Sequence, residues 1–115
     1  MKLQKIVELL DAELFGSEKH LDNEITCAFG SDLISDILMC TKEPTILLTG
    51  LTNPQIVRLS DMIDLQGIIF VRGKRPTPEL IDMAQERDLP MISTAYTLYK
   101  SSGILYNEGL RSCLI

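Results

Sequence analysis

The sequence predicts an α/β fold: three layers, α/β/α, around a mainly parallel central sheet built from successive strand–helix units. Three observations carry that prediction. Residues 45–49, 67–71 and 90–93 form short runs rich in apolar residues, as suits strands buried on both faces. Each run ends in a turn and is followed by a segment with apolar residues at helical spacing. The units repeat with a period of roughly 23 residues, the rhythm of a parallel sheet with helical crossovers.

Taken in order, Leu3, Ile6, Val7 and Leu10 recur at helical spacing and predict a first helix over about residues 2–11. Leu14 and Phe15 suit a short strand before the polar turn Gly16-Ser17-Glu18-Lys19-His20. Ile25, Cys27 and Phe29 alternate with Thr26 and Ala28, as a half-buried strand does. Gly30-Ser31 breaks that run. Ser31 is the expected cap of a helix that turns Leu33, Ile34, Ile37 and Leu38 inward, with Asp32 and Asp36 on one shared face.

The strand at Thr45-Ile46-Leu47-Leu48-Thr49 ends in Gly50, and Thr52-Asn53-Pro54 opens a helix to about Asp64. Gly67-Ile68-Ile69-Phe70-Val71 ends in Arg72-Gly73, and Pro76-Thr77-Pro78 opens a helix to about Arg87. Pro90-Met91-Ile92-Ser93 leads through Thr94 into a last helix to about Glu108. Asn53 and Thr77 are side-chain caps, and Pro54 and Pro78 occupy the first helical position, where no amide donor is needed.

A chain of 115 residues, 45% hydrophobic and 23% charged, fits one domain spanning 1–115, with a flexible tail from about residue 110. The net charge of −5 argues against nonspecific nucleic-acid binding, which neutralises many phosphates with many cations. The N-terminus carries Glu8 and Asp11 and lacks the apolar stretch of a signal peptide or membrane span, so a cytoplasmic location is expected. Cys27, Cys40 and Cys113 are odd in number and far apart, which fits a reducing interior better than a disulfide framework. Cys27 and Cys40 read as core thiols, and Cys113 as an exposed, oxidisable tail residue. No metal is expected, because His20 is the only histidine and structural zinc needs four gathered ligands. No cofactor is expected either.

In an open parallel sheet, ligands bind beyond the carboxyl ends of the strands. Here those ends carry Gly50, Thr52, Arg72, Gly73, Lys74, Arg75, Ser93 and Thr94. Glycines permit close backbone approach, hydroxyls donate, and the stretch FVRGKRPTPE concentrates three cations before a helix. The loops admit two interpretations: a site for a phosphate, a nucleotide or an acidic segment, or plain strand-to-helix turns with solvated cations. Neither a P-loop (GxxxxGK followed by Ser or Thr) nor a GxGxxG fingerprint is present.

Ser17, His20 and Asp22 are neighbours in a polar turn, without the held nucleophile and oxyanion hole of a triad, so no catalytic residue is assigned. Asp32 and Asp36 read either as a paired-carboxylate site or as a solvated helix face. Tyr96, Tyr99 and Tyr106 at helical spacing suit a packed face or a dimer surface.

The stretches GSDLISDILM and LLTGLTNPQIVRLSDMIDLQGIIFVRGKRPTPELIDMAQERDLPMISTAYTLY resemble, in content and order, a DRTGG domain. The resemblance runs from about Leu3 to Tyr106, and Gly67, Gly73, Pro76, Glu79, Pro90, Ser93 and Thr94 fall where such domains have the same or similar residues. It implies a fold related to the N-terminal domain of HPr kinase/phosphorylase. The family's double glycine stands here as Arg72-Gly73, and its Asp-Arg pair as Thr52-Asn53.

In larger proteins DRTGG domains accompany CBS domains of inorganic pyrophosphatases or precede phosphate acetyltransferase domains, and contribute to dimer interfaces and nucleotide control. The resemblance therefore implies a non-enzymatic, dimeric regulatory module that senses a small anion such as an adenine nucleotide. The alternative is an interaction or assembly subunit of a redox enzyme, since SDLISD and TNPQIV look like small stand-alone members encoded near iron-only hydrogenase genes.

Overall fold

The computed structural model describes residues 1–113, and of Cys40 only the backbone. The elements run α1 (Leu3–Leu9), β1 (Glu13–Phe15), a 3-10 turn (Glu18–Asp22), β2 (Cys27–Gly30), α2 (Ile34–Cys40) and β3 (Thr45–Thr49). Then come α3 (Pro54–Arg58), a second 3-10 turn (Leu59–Asp61), β4 (Leu65–Phe70), α4 (Pro78–Glu86), β5 (Met91–Ser93) and α5 (Leu98–Asn107). The sheet order is β1-β5-β4-β3-β2. β2, β3, β4 and β5 pair in parallel, while β1 is antiparallel to β5 with Leu14 opposite Ile92.

The apolar runs are continuous because side chains leave a strand on alternate faces and both faces are covered. Leu47, Ile68, Phe70 and Met91 pack on one face with Ile37 of α2, Ile56 and Val57 of α3, and Leu80 and Ala84 of α4. Ile46, Leu48, Ile69 and Ile92 pack on the other face with Leu3, Ile6 and Leu10 around α1, and with Leu105 of α5. The crossover helices thus share one layer, and the first and last helices share the other. Each fully buried Leu, Ile or Phe contributes about 1.5–3 kcal/mol relative to exposure.

Two helix starts differ from expectation. Ser31 does not cap α2; its Oγ accepts the Leu33 N–H at 3.0 Å and closes a local turn that competes with helix. The helix begins at Ile34, Leu33 is 56% exposed, Leu38 is also exposed, and Ile37 is fully buried. Asp32 therefore lies outside the helix and shares no helical face with Asp36. α5 begins at Leu98 under a Thr97 cap whose Oγ1 accepts the Lys100 N–H at 3.2 Å. Thr94 is occupied elsewhere: buried at the end of β5, it donates its hydroxyl to the Leu10 carbonyl at 2.7 Å. Tyr96 consequently precedes the helix that carries Tyr99 and Tyr106.

The cysteines also depart from expectation. Cys27 and Cys113 form a disulfide with Cα atoms 5.1 Å apart, and both are buried. Residues 110–113 lie as a strap along the outer edge of β2: the Ala28 N–H donates to the Arg111 carbonyl at 3.0 Å, and the Cys113 N–H to the Ala28 carbonyl at 3.1 Å. Arg111 forks onto Glu43 at 2.9 and 2.8 Å. The pair is separated by 86 residues, so no local spacing betrays it. By chain entropy a cross-link closing a loop of that size contributes about 4–5 kcal/mol. The expected Cys40 core thiol, and the tail beyond Cys113, lie outside the described residues.

Leu47→Ala, at the centre of the sheet, is expected to cost about 3 kcal/mol in urea denaturation. Leu33→Ala, which an inward-facing helix would feel as strongly, is expected to cost less than about 0.5 kcal/mol.

Candidate anion site at the carboxyl end of the sheet

The parallel strands β2 to β5 deliver four loops to one end of the sheet. The first carries Asp32, the second Gly50 and Thr52, the third Arg72 to Arg75, and the fourth Ser93 to Tyr96. The loop after β4 is a tight turn in which the Lys74 N–H donates to the Val71 carbonyl at 3.1 Å. Its central residues, Arg72 and Gly73, have φ of 59° and 70°. Two successive positive φ values define a type I′ turn, easy for glycine and unfavourable for arginine by about 1–2 kcal/mol.

The loops are stitched together by backbone bonds. The Arg72 N–H donates to the Tyr96 carbonyl at 2.8 Å, and the Gly73 N–H to the Thr94 carbonyl at 2.9 Å. The Ser93 hydroxyl donates to the Lys74 carbonyl. Across the turn, the Arg72 guanidinium occupies the space that a side chain on Gly50 would need. A glycine at position 50 is therefore the counterpart of an arginine at position 72. Among the described residues neither Arg72 nor Lys74 has an ion pair, and both are exposed.

Arg75 is placed differently. It forks onto Glu13 of β1 at 2.9 and 2.8 Å and lies over the Phe15 ring, 5.0 Å from its centroid. The hydrogen bonds and charge of Glu13 raise the Arg75 pKa above its ordinary value. Of the three cations in FVRGKRPTPE, one is neutralised against the sheet edge and two remain at the strand ends.

Asp32, weighed by sequence only with Asp36 and not as part of the strand-end site, organises the second loop. Its Oδ1 accepts the Thr49 hydroxyl at 2.9 Å and the Gly50 N–H at 2.7 Å. The signal was available, since residues 31–32 also follow a parallel strand and so reach the same end of the sheet. The amides of Gly50, Arg72, Gly73 and Lys74 all donate within the protein, so the turn after β4 is no cradle of free N–H groups. The helix starts are likewise capped internally by Asn53, Thr77 and Thr97. What the arrangement offers an anion is two unpaired side-chain cations on a glycine bed.

The family model for the DRTGG domain matches residues 5–107. The chain belongs to the DRTGG domain family. The double glycine of such domains now has a geometric meaning, because the type I′ turn wants positive φ at both central positions and this DRTGG chain meets the first with Arg72.

Among solved structures, the CBS and DRTGG domains of the regulatory region of Clostridium perfringens pyrophosphatase, complexed with its activator diadenosine tetraphosphate, share the fold at a TM-score of 0.71 and 17% identity. The match covers 98% of this chain and 47% of that one, so the DRTGG chain spans about half the length of that structure. No curated protein matches the sequence.

Thermal denaturation tests the turn. Arg72→Gly is expected to be neutral or stabilising by up to about 1 kcal/mol, relief of the positive φ being partly offset by unfolded-state entropy. Arg72→Val, β-branched in the same conformation, is expected to lie about 1–2 kcal/mol below Arg72→Gly.

Proposed function

We propose that this DRTGG chain is a non-enzymatic regulatory module that senses a small anion, of the adenine-nucleotide class, at the carboxyl end of its sheet. The observation that carries the proposal is Arg72. An arginine is held in a backbone conformation that glycine would adopt without strain, and its guanidinium is laid across Gly50 with no carboxylate among the described residues to neutralise it. Strain retained at an exposed position calls for a functional reason.

In this account Arg72 and Lys74 bind phosphate oxygens, Gly50 gives the guanidinium room, and the Thr52 hydroxyl donates to the ligand. Gly73, Ser93 and Thr94 hold the loops in place, and Arg75, tied to Glu13, contributes only long-range charge. Support for the nucleotide class comes from the pyrophosphatase regulatory region of the same fold, whose activator is a dinucleotide polyphosphate.

Calorimetric titration with AMP, ADP, ATP and diadenosine tetraphosphate is expected to show binding to at least one of them. The double change Arg72→Gly with Lys74→Ala is expected to weaken it by at least about tenfold without loss of fold. Gly50→Ala should weaken binding in the Arg72 chain and do little in the Arg72→Gly chain, since its effect works by displacing the guanidinium. Absence of heat with all four nucleotides would remove the proposal for this ligand class.

α5 supports a second role, as a contact surface. Tyr99 and Tyr106 are 87% and 73% exposed, and with Leu98, Ser102 and Gly103 they line a shallow apolar depression. Such an exposed aromatic face suits association, in the first instance as a homodimer and alternatively with a redox-enzyme partner. Light scattering at micromolar concentration is expected to give twice the chain mass, falling to one chain on Tyr99→Glu with Tyr106→Glu. A wild-type mass of one chain would remove the homodimer.

A further inference from the structure

We propose that the Cys27–Cys113 pair is a thiol–disulfide latch that fastens the strap at residues 110–113 to the β2 edge when oxidised and lets it lift when reduced. Leu110 is buried among the apolar residues beside α5 and donates its N–H to the Leu105 carbonyl at 3.0 Å, but beyond it residues 111–113 are lightly held by everything except sulfur. Two backbone hydrogen bonds join them to Ala28, and their one ion pair among the described residues, Arg111 to Glu43, is surface-exposed on the arginine side. Exposed pairs contribute little, so the covalent bond is the dominant fastening of this edge.

The surroundings accommodate either redox state. The Cys27 Sγ lies 3.3 Å from the Pro44 carbonyl, and the Cys113 Sγ lies 3.1 Å from the Thr45 hydroxyl. A pair of thiols would therefore find hydrogen-bond partners where the disulfide now sits, and reduction strands no buried polar group. Beneath the strap, Ala28, Gly30, Leu48, Leu105 and Leu110 line a cavity of about 190 Å³ between β2 and α5. Lifting the strap opens that cavity and bares the hydrogen-bonding groups of β2, while the sheet centre keeps both its layers.

The exchange partner is a dithiol. One of its thiolates attacks the Cys113 Sγ, the Sγ–Sγ bond breaks, and Cys27 leaves as a thiolate that takes up a proton. The second thiol of the reagent then resolves the mixed disulfide, releasing Cys113 as a thiol and the reagent as a cyclic disulfide, with two electrons transferred. Because both sulfurs are buried, attack follows fraying of the strap and is slower than at an exposed disulfide.

Amide hydrogen exchange followed by NMR, on the whole chain before and after dithiothreitol, tests the latch. Reduction is expected to speed exchange at Ala28 and Cys113 by at least about tenfold and to leave Leu47 and Ile69, which open only with the whole fold, at least about tenfold slower than Ala28, and glutathione disulfide is expected to restore protection. Cys113→Ser should show the fast pattern with or without reductant. Equal protection in both states would overturn the latch, since the strap would then hold without the bond. Exchange of Ala28 and Leu47 at one common rate after reduction would also overturn it, since the strap would then open only with the whole fold. So would mass spectrometry showing both cysteines still reduced after equilibration with glutathione disulfide.

Discussion

Everything in this molecule follows from burying both faces of β3 and β4. A central parallel strand has no solvent side, so its residues must be apolar in both directions, and helices must lie above and below. Polar chemistry is thereby driven to the strand ends. The two threonines of β3 mark the limits: Thr45 and Thr49, its first and last residues, are buried, and each donates its hydroxyl, to the Glu43 carbonyl and the Asp32 carboxylate respectively. Between them the strand carries only Ile46, Leu47 and Leu48. The candidate site sits where it does because the sheet admits polar groups only at its ends.

That same constraint made the architecture legible. Runs such as 45–49 and 67–71 announce a strand with no wet face, and Asn53-Pro54 and Thr77-Pro78 announce the helices that follow. What could not be read was set by distant partners. By sequence the last helix follows Thr94 directly, but Thr94 donates its hydroxyl to the Leu10 carbonyl and accepts the Tyr96 N–H in a local turn, so α5 starts under Thr97. Ser31 looks like a cap, but it spends its oxygen on Leu33 two residues on. Cys27 meets Cys113 only because the strap joins the sheet edge, a tertiary event with no local signature. At the site, glycines and cations were visible as types; that Glu13 would claim Arg75 and Asp32 would claim the Gly50 amide was not.

These claims change the kind of recognition on offer. A nest of fixed amides measures the shape of an anion as well as its charge. Arg72 and Lys74 are side chains over a closed turn, so they respond chiefly to charge and to what can be gripped by a guanidinium fork. The flanking carboxylates of Asp32 and Glu13 narrow the basic patch further within a chain of net charge −5. Under the proposed function, a ligand concentrated in negative charge is favoured over one in which the charge is spread.

The pairing of β1 with β5 bears on how the chain is made. The first of the five strands in chain order is hydrogen-bonded to the fifth, Glu13 beside Ser93, and the Leu10 carbonyl waits for Thr94. The apolar residues of α1 find their cover on strands that leave the ribosome well after them. Contacts so distant in sequence close late and slowly. The helix α1 therefore emerges before most of its cover, and until β5 is complete the nascent chain carries apolar surface that the finished sheet buries.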